Sequence, residues 1–105
     1  MEDKLIIKVS EQFSKTPKGR TLKDGPYTGE KFRTDFLVPN FHKYKKIIID
    51  LDDLYGCPSS FREESFGGLA RIFDVESVLN KLEFICTDQP PIIAIIKNDI
   101  KQANG

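Results

Sequence analysis

The segment from Lys46 to Ser60 carries the residue types most able to do chemistry in this chain. An isoleucine-rich run ends in an acidic residue, a turn follows, and Ser59 and Ser60 stand where a helix begins. The first turn of a helix presents unpaired N–H groups and the positive end of the helix dipole, which together stabilise a phosphate group. The segment therefore suggests either binding of a phosphorylated ligand or phosphorylation of a serine.

The two serines have different interpretations. Ser60 and Glu63 match the capping box, so we expect Ser60 to cap the helix and its replacement by alanine to cost about 1 kcal/mol. Ser59 is either a plain turn serine or a phosphorylated, partner-facing one. Glu63 and Glu64 point about 100° apart on a helix, so they should not share a site as a simple pair. Glu64 is then a surface or salt-bridge residue.

A second group of polar residues flanks the segment DGPYTGE, which begins at Asp24. Arg20, Asp24 and Arg33 surround it, and its glycines let the backbone come close to a neighbour. One interpretation is a structural clasp in which an arginine pairs with Asp24 and holds the long loop. The other is an anion or nucleotide site at the start of the helix that follows Thr28. The Walker pattern G-x-x-x-x-G-K-[ST] is absent from this segment.

The remaining chemistry-bearing residues give little support to catalysis or metal binding. Cys57 and Cys86 lie beside apolar or strand-like sequence, which favours two buried thiols in a reducing cytosol. A zinc site takes about four closely spaced ligands, and only His42 adds to these cysteines. A catalytic Cys57–His42 pair stays open as a minor alternative. Without a nucleophile, base and orienting group, we predict a non-enzyme without metal or cofactor.

Composition narrows the classes of partner. The chain has 105 residues, with 16 Lys and Arg against 16 Asp and Glu, so its formal net charge is zero. This balance argues against a nucleic-acid binder, and the length suits one domain over residues 1–105. The start lacks a signal-peptide pattern, and the run PPIIAII is far shorter than the roughly 20 residues that span a membrane. We expect a cytoplasmic protein with no membrane partner, and its oligomeric state stays open.

Hydrophobic patterns predict the elements that position these residues. Strands are expected at Leu5–Val9, Lys46–Leu51 and Glu83–Thr87, with a short one around 20–22. Helices are expected after the N-cap residues Thr28 and Asp74, from Ser60 to Phe73, and from Pro91, where the isoleucines make a strand the rival. The alternation predicts an α/β domain with a mixed central sheet of about four strands packed against about four helices.

Two local features indicate where the first helix begins and ends and how the second helix packs. Tyr27 and Phe32 are spaced as a hydrophobic staple at the start of the first helix, which Pro39 should kink or end. Gly67 and Gly68 fall inside the helix that follows Ser60, where each costs about 1 kcal/mol relative to alanine. We expect them to allow close approach of this helix to the sheet or to another backbone.

The segment from Leu51 through Asp53-Leu54 to Ser59-Ser60 resembles the STAS domain of bacterial anti-sigma factor antagonists. Over roughly residues 5–100 the chain is more similar still to the STAS-like domain family of uncharacterised function. The motifs that carry this resemblance are Gly19-Arg20, Asp24-Gly25-Pro26, Thr28-Gly29-Glu30, Phe32-Arg33, Pro58-Ser59-Ser60-Phe61, Glu63-Glu64 and Phe66-Gly67-Gly68-Leu69.

The resemblance implies a role in partner switching, a form of bacterial signalling. STAS antagonists bind a histidine-kinase-like ATPase that phosphorylates a serine at the helix start and then releases the phosphoprotein. By position the phospho-acceptor is Ser59, although Pro58 stands where the family has aspartate. The residues implied in partner binding are Asp52, Asp53, Tyr55, Ser59, Ser60, Arg62 and Glu64. The family motif that doubles as a possible anion site comprises Gly19, Arg20, Asp24, Gly25, Gly29 and Arg33.

Three functions are therefore weighed. The first is a non-catalytic interaction module that contacts an ATPase through the turn 52–60 and the exposed side of the helix that follows. The second is a small-ligand or nucleotide sensor that uses Arg20, Asp24 and Arg33. The third, an enzyme, ranks last.

Overall fold

The strands form a three-stranded parallel sheet with the isoleucine-rich strand at its centre. The computed structural model describes residues 2–103 and places β1 (Glu2–Lys8), β2 (Tyr44–Asp50) and β3 (Leu82–Ile85) in the order β1-β2-β3. Ile6 lies opposite Ile48 on the neighbouring strand, and Ile48 lies opposite Glu83. The α/β class is confirmed, but the sheet is parallel rather than mixed and has one strand fewer than predicted.

The missing strand was expected around residues 20–22. Leu22–Asp24 instead forms a 3₁₀ turn, because the Asp24 carboxylate accepts the N–H groups of Arg20 (3.1 Å) and Thr21 (2.9 Å). Gly25 then adopts a φ of +145°, a backbone conformation that is rare in residues with a side chain. The backbone groups that a strand would offer to a neighbour are thus used inside the loop itself.

All four predicted helices are present, and two of them contain π-helical turns. The first begins as α2 (Gly29–Phe32) and continues through a π-helical turn (Arg33–Leu37) and a 3₁₀ turn (Val38–Asn40); we call it the 29–40 helix. The second runs from α3 (Ser59–Arg62) through a π-helical turn (Glu63–Gly67) into α4 (Gly68–Ile72); we call it the 59–72 helix. The other helices are α5 (Val75–Lys81), α6 (Pro91–Gln102) and an unpredicted short α1 (Val9–Gln12).

Several local predictions are confirmed. Thr28 accepts the N–H of Lys31 as an N-cap, and Asp74 caps α5 by accepting the N–H of Ser77. Pro91 is the first residue of α6, so the isoleucines there belong to a helix and not to a strand. The domain was predicted over residues 1–105, and three of these, Met1, Asn104 and Gly105, lie outside the residues that the structure describes.

Within the residues that the structure describes, helices pack on one face of the sheet. Ile7, Ile47 and Ile49 point to that face and are at most 1% exposed. They belong to one core with the phenylalanines of the 29–40 and 59–72 helices. The alternate residues point the other way, and Ile6 stays 57% exposed.

No helix within residues 2–103 is long and apolar enough to cross a membrane.

Candidate functional site

Gly29 brings the 29–40 and 59–72 helices into direct contact. A Cβ atom at this position would lie 2.7 Å from the carbonyl oxygen of Phe61 and 3.0 Å from the backbone nitrogen of Ser65. The Ser65 hydroxyl, which is fully buried, donates to the Gly29 carbonyl across the same contact at 3.3 Å. The close approach of backbones that we expected at Gly67 and Gly68 therefore occurs at Gly29, a motif residue on the other helix.

The π-helical turn of the 59–72 helix makes one backbone carbonyl available to a side chain. The Gly68 N–H donates to the carbonyls of Glu63 and Ser65 rather than to that of Glu64. Arg33 donates to the Glu64 carbonyl (2.6 Å) and to the Glu64 carboxylate (2.7 Å). The side chains of this ion pair are only 14% and 17% exposed, so a guanidinium joins the two helices in a largely dry contact.

Two further arginines bind the neighbouring glutamate. Arg20, from the long loop, is ion-paired with Glu63 and lies 3.3 Å from Glu64, while Arg71 donates to Glu63 at 2.6 Å. These arginines lower the pKa of Glu63, Arg71 more than Arg20, and Glu63 in turn raises the pKa of Arg20. We call Arg20, Arg33, Glu63, Glu64 and Arg71 the charged cluster.

The charged cluster explains the two glycines inside the helix. A Cβ on Gly68 would collide with the Arg33 guanidinium, and one on Gly67 would lie 2.6 Å from the Glu63 carboxylate. These glycines thus make room for charged side chains, not for the sheet or another backbone as we expected.

The charged cluster also corrects two predictions about pairing. Glu63 and Glu64 do share a partner, because Arg20 approaches from another segment and spans both side chains. Asp24 does not pair with an arginine side chain, since its carboxylate accepts backbone N–H groups of its own loop, which lowers its pKa. The clasp therefore joins the arginines to the 59–72 helix, and an anion at this position would compete with two carboxylates.

The motif glycines Gly19 and Gly25 shape the loop that delivers Arg20. Gly19 has a φ of +94°, and a Cβ there would lie 2.7 Å from that of Asp24. The Gly19 and Arg20 carbonyls accept the N–H groups of Gly29 (3.0 Å) and Glu30 (3.0 Å), at the start of the 29–40 helix. The loop is therefore held against the helix start, where the backbone N–H groups of Gly29 and Glu30 already have protein partners.

The N-cap of the 59–72 helix lies two residues before the predicted one, Ser60. Pro58 occupies the N-cap position without a side-chain cap, and Ser59 is the first helical residue. Ser60 is therefore not the N-cap, and Glu63 binds arginines instead of completing a capping box. Proline has a fixed φ and its predecessor favours extended backbone, so Pro58 sets where the helix begins.

The loop between β2 and the 59–72 helix is fixed by its neighbours. The Asp52 carboxylate accepts the Thr87 N–H (2.6 Å), the Thr87 hydroxyl (2.7 Å) and the Asp88 N–H (3.1 Å), and its pKa is lowered chiefly by the hydroxyl. Asp53 donates its N–H to Asp88 (3.1 Å) and pairs with Lys8 (3.0 Å). Asp52 is thus a clasp between loops at the carboxyl ends of β2 and β3.

Asp52 also belongs to a group of three possible metal-ligating residues that the sequence analysis did not predict. Asp52, Cys86 and Asp88 place their ligand atoms within 4.8 Å of one another. The signal was that Asp52 and Cys86 follow neighbouring parallel strands, whose ends meet at one edge. Because the Asp52 carboxylate already accepts several hydrogen bonds, its role here is structural.

The predicted partner-binding residues divide by exposure. Tyr55 is 79% exposed and Ser59 is exposed, whereas Ser60 is half-buried. Arg62 turns inward, donates to the Cys57 carbonyl and lies 3.8 Å from Asp99 on α6. Glu64 is engaged by Arg33. The structure therefore brings Tyr55 and Ser59 to the surface and gives Asp52, Arg62 and Glu64 internal partners.

The cysteines and the histidine lie at opposite ends of the sheet. Cys57 and Cys86 line a cavity of about 10 Å³ beyond the carboxyl end of β2, roughly the room of one water molecule. Burial raises the pKa of the Cys57 thiol to about 11, so it is protonated at neutral pH. His42 precedes β2 and packs on Phe41 and Phe73. The strand, about 20 Å long, separates Cys57 from His42 and excludes their catalytic pairing.

Comparison with known proteins gives one result. The sequence profile of a family described as "STAS-like domain of unknown function" matches residues 28–90. No curated protein and no solved structure matches the chain significantly. The matched range contains the 29–40 helix, the central strand, the loop 51–58, the 59–72 helix and β3. The chain therefore belongs to the family of STAS-like domains of unknown function.

Proposed function

We propose that this chain is a non-catalytic regulatory module that binds a histidine-kinase-like ATPase in the cytoplasm and is regulated by phosphorylation of Ser59. The contact surface comprises Asp53, Tyr55 and Ser59, and we call it the recognition surface. The observation that carries the proposal is that an exposed serine begins the 59–72 helix a few residues after a tyrosine that is 79% exposed.

The rigidity of the loop supports a docking role for Tyr55. The Tyr55 N–H donates to the Lys15 carbonyl at 2.9 Å, and the Asp53 N–H donates to Asp88 at 3.1 Å. An exposed aromatic side chain on a fixed backbone loses little conformational entropy when it binds. Tyr55 therefore has the properties of an interface hot spot.

The position of Ser59 supports control by phosphorylation. Ser59 is four residues before Glu63, so the two side chains lie on the same face of the helix. A phosphoserine adds between one and two negative charges, which repel Glu63 and attract its partner Arg20. Phosphorylation would thus change both the charge and the ion pairing along the first turns of the 59–72 helix, which is a physical route to release of the partner.

The experiment combines binding and modification. The purified chain is incubated with a histidine-kinase-like ATPase encoded beside its gene, first without and then with ATP, and binding and intact mass are measured. We expect a complex that weakens as one phosphate is added. Ser59→Ala should stay unmodified, while the matched variant Ser60→Ala should be phosphorylated as the parent chain is.

Tyr55→Ala tests the docking surface, with Tyr27→Ala as the control because Tyr27 is 45% exposed and packs against Phe13 in another part of the chain. We expect only the first variant to lose binding, by about tenfold or more. Absence of binding by folded parent chain would contradict the interaction. Binding with an unchanged mass would contradict the phosphorylation alone.

A further inference from the structure

A cleft of about 380 Å³ lies where β1 and β2 end. One wall comes from α1 and the residues that follow it, and the other comes from the loop after β2. We call it the α1 cleft, and the residues that line it are Ser10, Glu11, Lys15, Asp53, Leu54 and Tyr55. In α/β sheets, ligands bind in the crevice beyond the carboxyl ends of the strands, so the position of the α1 cleft favours a binding site.

The two walls of the α1 cleft are joined by contacts between them. The Tyr55 N–H donates to the Lys15 carbonyl at 2.9 Å, and the Asp53 carboxylate pairs with Lys8, at the end of β1, at 3.0 Å. The Asp53 N–H also donates to Asp88 at 3.1 Å. The cleft is therefore formed before a ligand arrives, so binding requires little reorganisation of the chain.

One buried polar group in the α1 cleft lacks a partner. Ser10 is 7% exposed, and its hydroxyl oxygen makes no hydrogen bond within residues 2–103. A buried hydroxyl without a hydrogen bond destabilises the fold, and such groups are rare in native proteins. Because Ser10 lines the α1 cleft, a ligand bound there can supply the missing partner.

The charged side chains of the α1 cleft leave one group of each sign available. Asp53 is engaged by Lys8, whereas the exposed Glu11 and Lys15 form no salt bridge within the part of the chain that the structure describes. A phosphate-bearing ligand would meet the carboxylates of Glu11 and Asp53. A ligand with a positive charge alone would leave Lys15 without a partner. A ligand that carries both an ammonium and a carboxylate matches both free groups.

The two remaining lining residues suit an aromatic group. Tyr55 is 79% exposed, and Leu54 beside it is half-buried. A ring bound against Tyr55 would cover apolar surface and gain the attraction between aromatic rings. We infer that the α1 cleft binds a free amino acid with an aromatic side chain. Its ammonium would lie at Glu11, its carboxylate at Lys15 and the Ser10 hydroxyl, and its ring at Tyr55.

Titration with L-phenylalanine tests the site directly. Because the ligand is small and the cleft is open, we expect a Kd of about 1 mM. The amide resonances of the isotope-labelled chain are followed by NMR as L-phenylalanine is added to about 10 mM. The resonances of Ser10, Lys15 and Tyr55 should shift and saturate, and that of His42, at the opposite end of the sheet, should not. Absence of saturable shifts in a folded chain would overturn the inference.

Three matched compounds test the class of ligand. Hydrocinnamate lacks the ammonium of L-phenylalanine, phenethylamine lacks the carboxylate, and L-alanine lacks the ring. Each should bind about tenfold more weakly than L-phenylalanine, because each leaves one group of the cleft without its partner. Binding of hydrocinnamate or phenethylamine as tight as that of L-phenylalanine would contradict the assignment of a zwitterion.

Two charge variants assign each contact to a residue. Glu11→Gln should weaken L-phenylalanine about tenfold and leave hydrocinnamate unchanged, since hydrocinnamate has no ammonium. Lys15→Gln should weaken L-phenylalanine and hydrocinnamate but leave phenethylamine unchanged. The controls Glu76→Gln and Lys97→Gln, exposed on α5 and α6, should change none of these affinities. An equal loss for all three compounds in either cleft variant would contradict these contacts.

Ser10→Ala adds a measurement on the chain without ligand. Removal of a buried hydroxyl that has no partner should raise the urea midpoint of the free chain, while L-phenylalanine should bind about fivefold more weakly. Ser77→Ala is the control: its hydroxyl donates to Asp74 at 2.8 Å, so the midpoint should fall and binding should stay unchanged. Unchanged binding by Ser10→Ala would contradict a role for this hydroxyl. These measurements involve neither the ATPase nor phosphorylation, so the outcome is separate from the proposed function.

Discussion

The charged cluster and the recognition surface differ in how their polar groups are used, although the glutamates of the cluster follow Ser59 by only a few residues. In the charged cluster every arginine binds a glutamate, and the central pair, Arg33 and Glu64, is more than four-fifths buried. On the recognition surface Tyr55 is 79% exposed and Ser59 is exposed. Side chains that are ion-paired within the chain stabilise the fold, whereas the exposed side chains are accessible to another protein.

This difference divides the residues that the family motif implies in partner binding into an internal group and an exposed group. Arg62 and Glu64 belong to the same stretch as Ser59 but are bound by the Cys57 carbonyl and by Arg33. Their substitution would alter stability before it altered recognition. Four predictions test this division, and they run from the largest expected effect to the smallest.

Gly29→Ala should have the largest effect on stability. Its Cβ would meet the backbone of the 59–72 helix at 2.7–3.0 Å, so the two helices must separate, at a cost of about 3 kcal/mol. Gly56→Ala, in the loop beside Tyr55, has no atom within 4 Å of the added Cβ and should be neutral or slightly stabilising. Urea unfolding of both variants measures this, and equal costs would contradict the close approach at Gly29.

Arg33→Met should come next, at about 2 kcal/mol. The change leaves the Glu64 carboxylate, 17% exposed, without its nearest cation and removes a donor from the Glu64 carbonyl. Lys31→Met is the matched control, because it breaks an exposed pair with Asp35 at 2.9 Å and should cost no more than about 0.5 kcal/mol. A cost for Arg33→Met as small as that of the control would show that the pair contributes little.

Glu63→Gln should change how stability depends on pH. The pKa of Glu63 is lowered from its ordinary 4.5 by Arg71 and Arg20, so its stabilising charge is present above about pH 5. That contribution is lost as the pH falls through the lowered pKa. The variant should therefore be less stable than the parent by about 1 kcal/mol at pH 7 and equal to it in strong acid.

Thermal unfolding from pH 2 to pH 7 measures this effect. The exposed Glu76 provides the control, since Glu76→Gln should change the pH profile far less. A difference between Glu63→Gln and the parent that is constant across this range would contradict an ionic role.

Ser60→Ala should have the smallest effect, below about 0.5 kcal/mol, because Ser60 lies inside the helix and does not cap it. Thr28→Ala is the comparison, since the Thr28 side chain accepts the Lys31 N–H at 3.2 Å and its loss should cost about 1 kcal/mol. Urea midpoints of the two variants measure the difference. An equal cost would place the N-cap of this helix at Ser60, two residues later than the structure does.

Predictions from sequence succeeded where the cause was local. Thr28 and Asp74 cap their helices through side chains that reach a backbone N–H three residues ahead, and Pro91 begins a helix. The same logic failed at Ser60, where the capping-box pattern competed with Pro58, which lies two residues earlier and occupies the N-cap position. A local pattern is decisive only when no neighbouring residue offers the backbone a stronger constraint.

The candidate site could be predicted only in part for the same reason. The exposure of Ser59 follows from its place at a helix start, and its nearness to Glu63 follows from helical spacing. The pairing of Arg20 and Arg33 with the glutamates could not be read from spacing, because more than 30 residues separate each arginine from its partner. It also depends on the π-helical turn, which makes the Glu64 carbonyl available to Arg33.

The sequence by itself determined the α/β class, the central isoleucine-rich strand and the order of the helices, because hydrophobic period and capping chemistry act over a few residues. Its motifs separately carried the resemblance to the STAS-like family. Only the tertiary structure decided that the sheet is parallel, that Gly29 joins two helices, and that Arg62 and Glu64 have internal partners. These features depend on contacts between distant segments, whose strength is set by burial and geometry. The same contacts leave Tyr55 and Ser59 exposed at the surface.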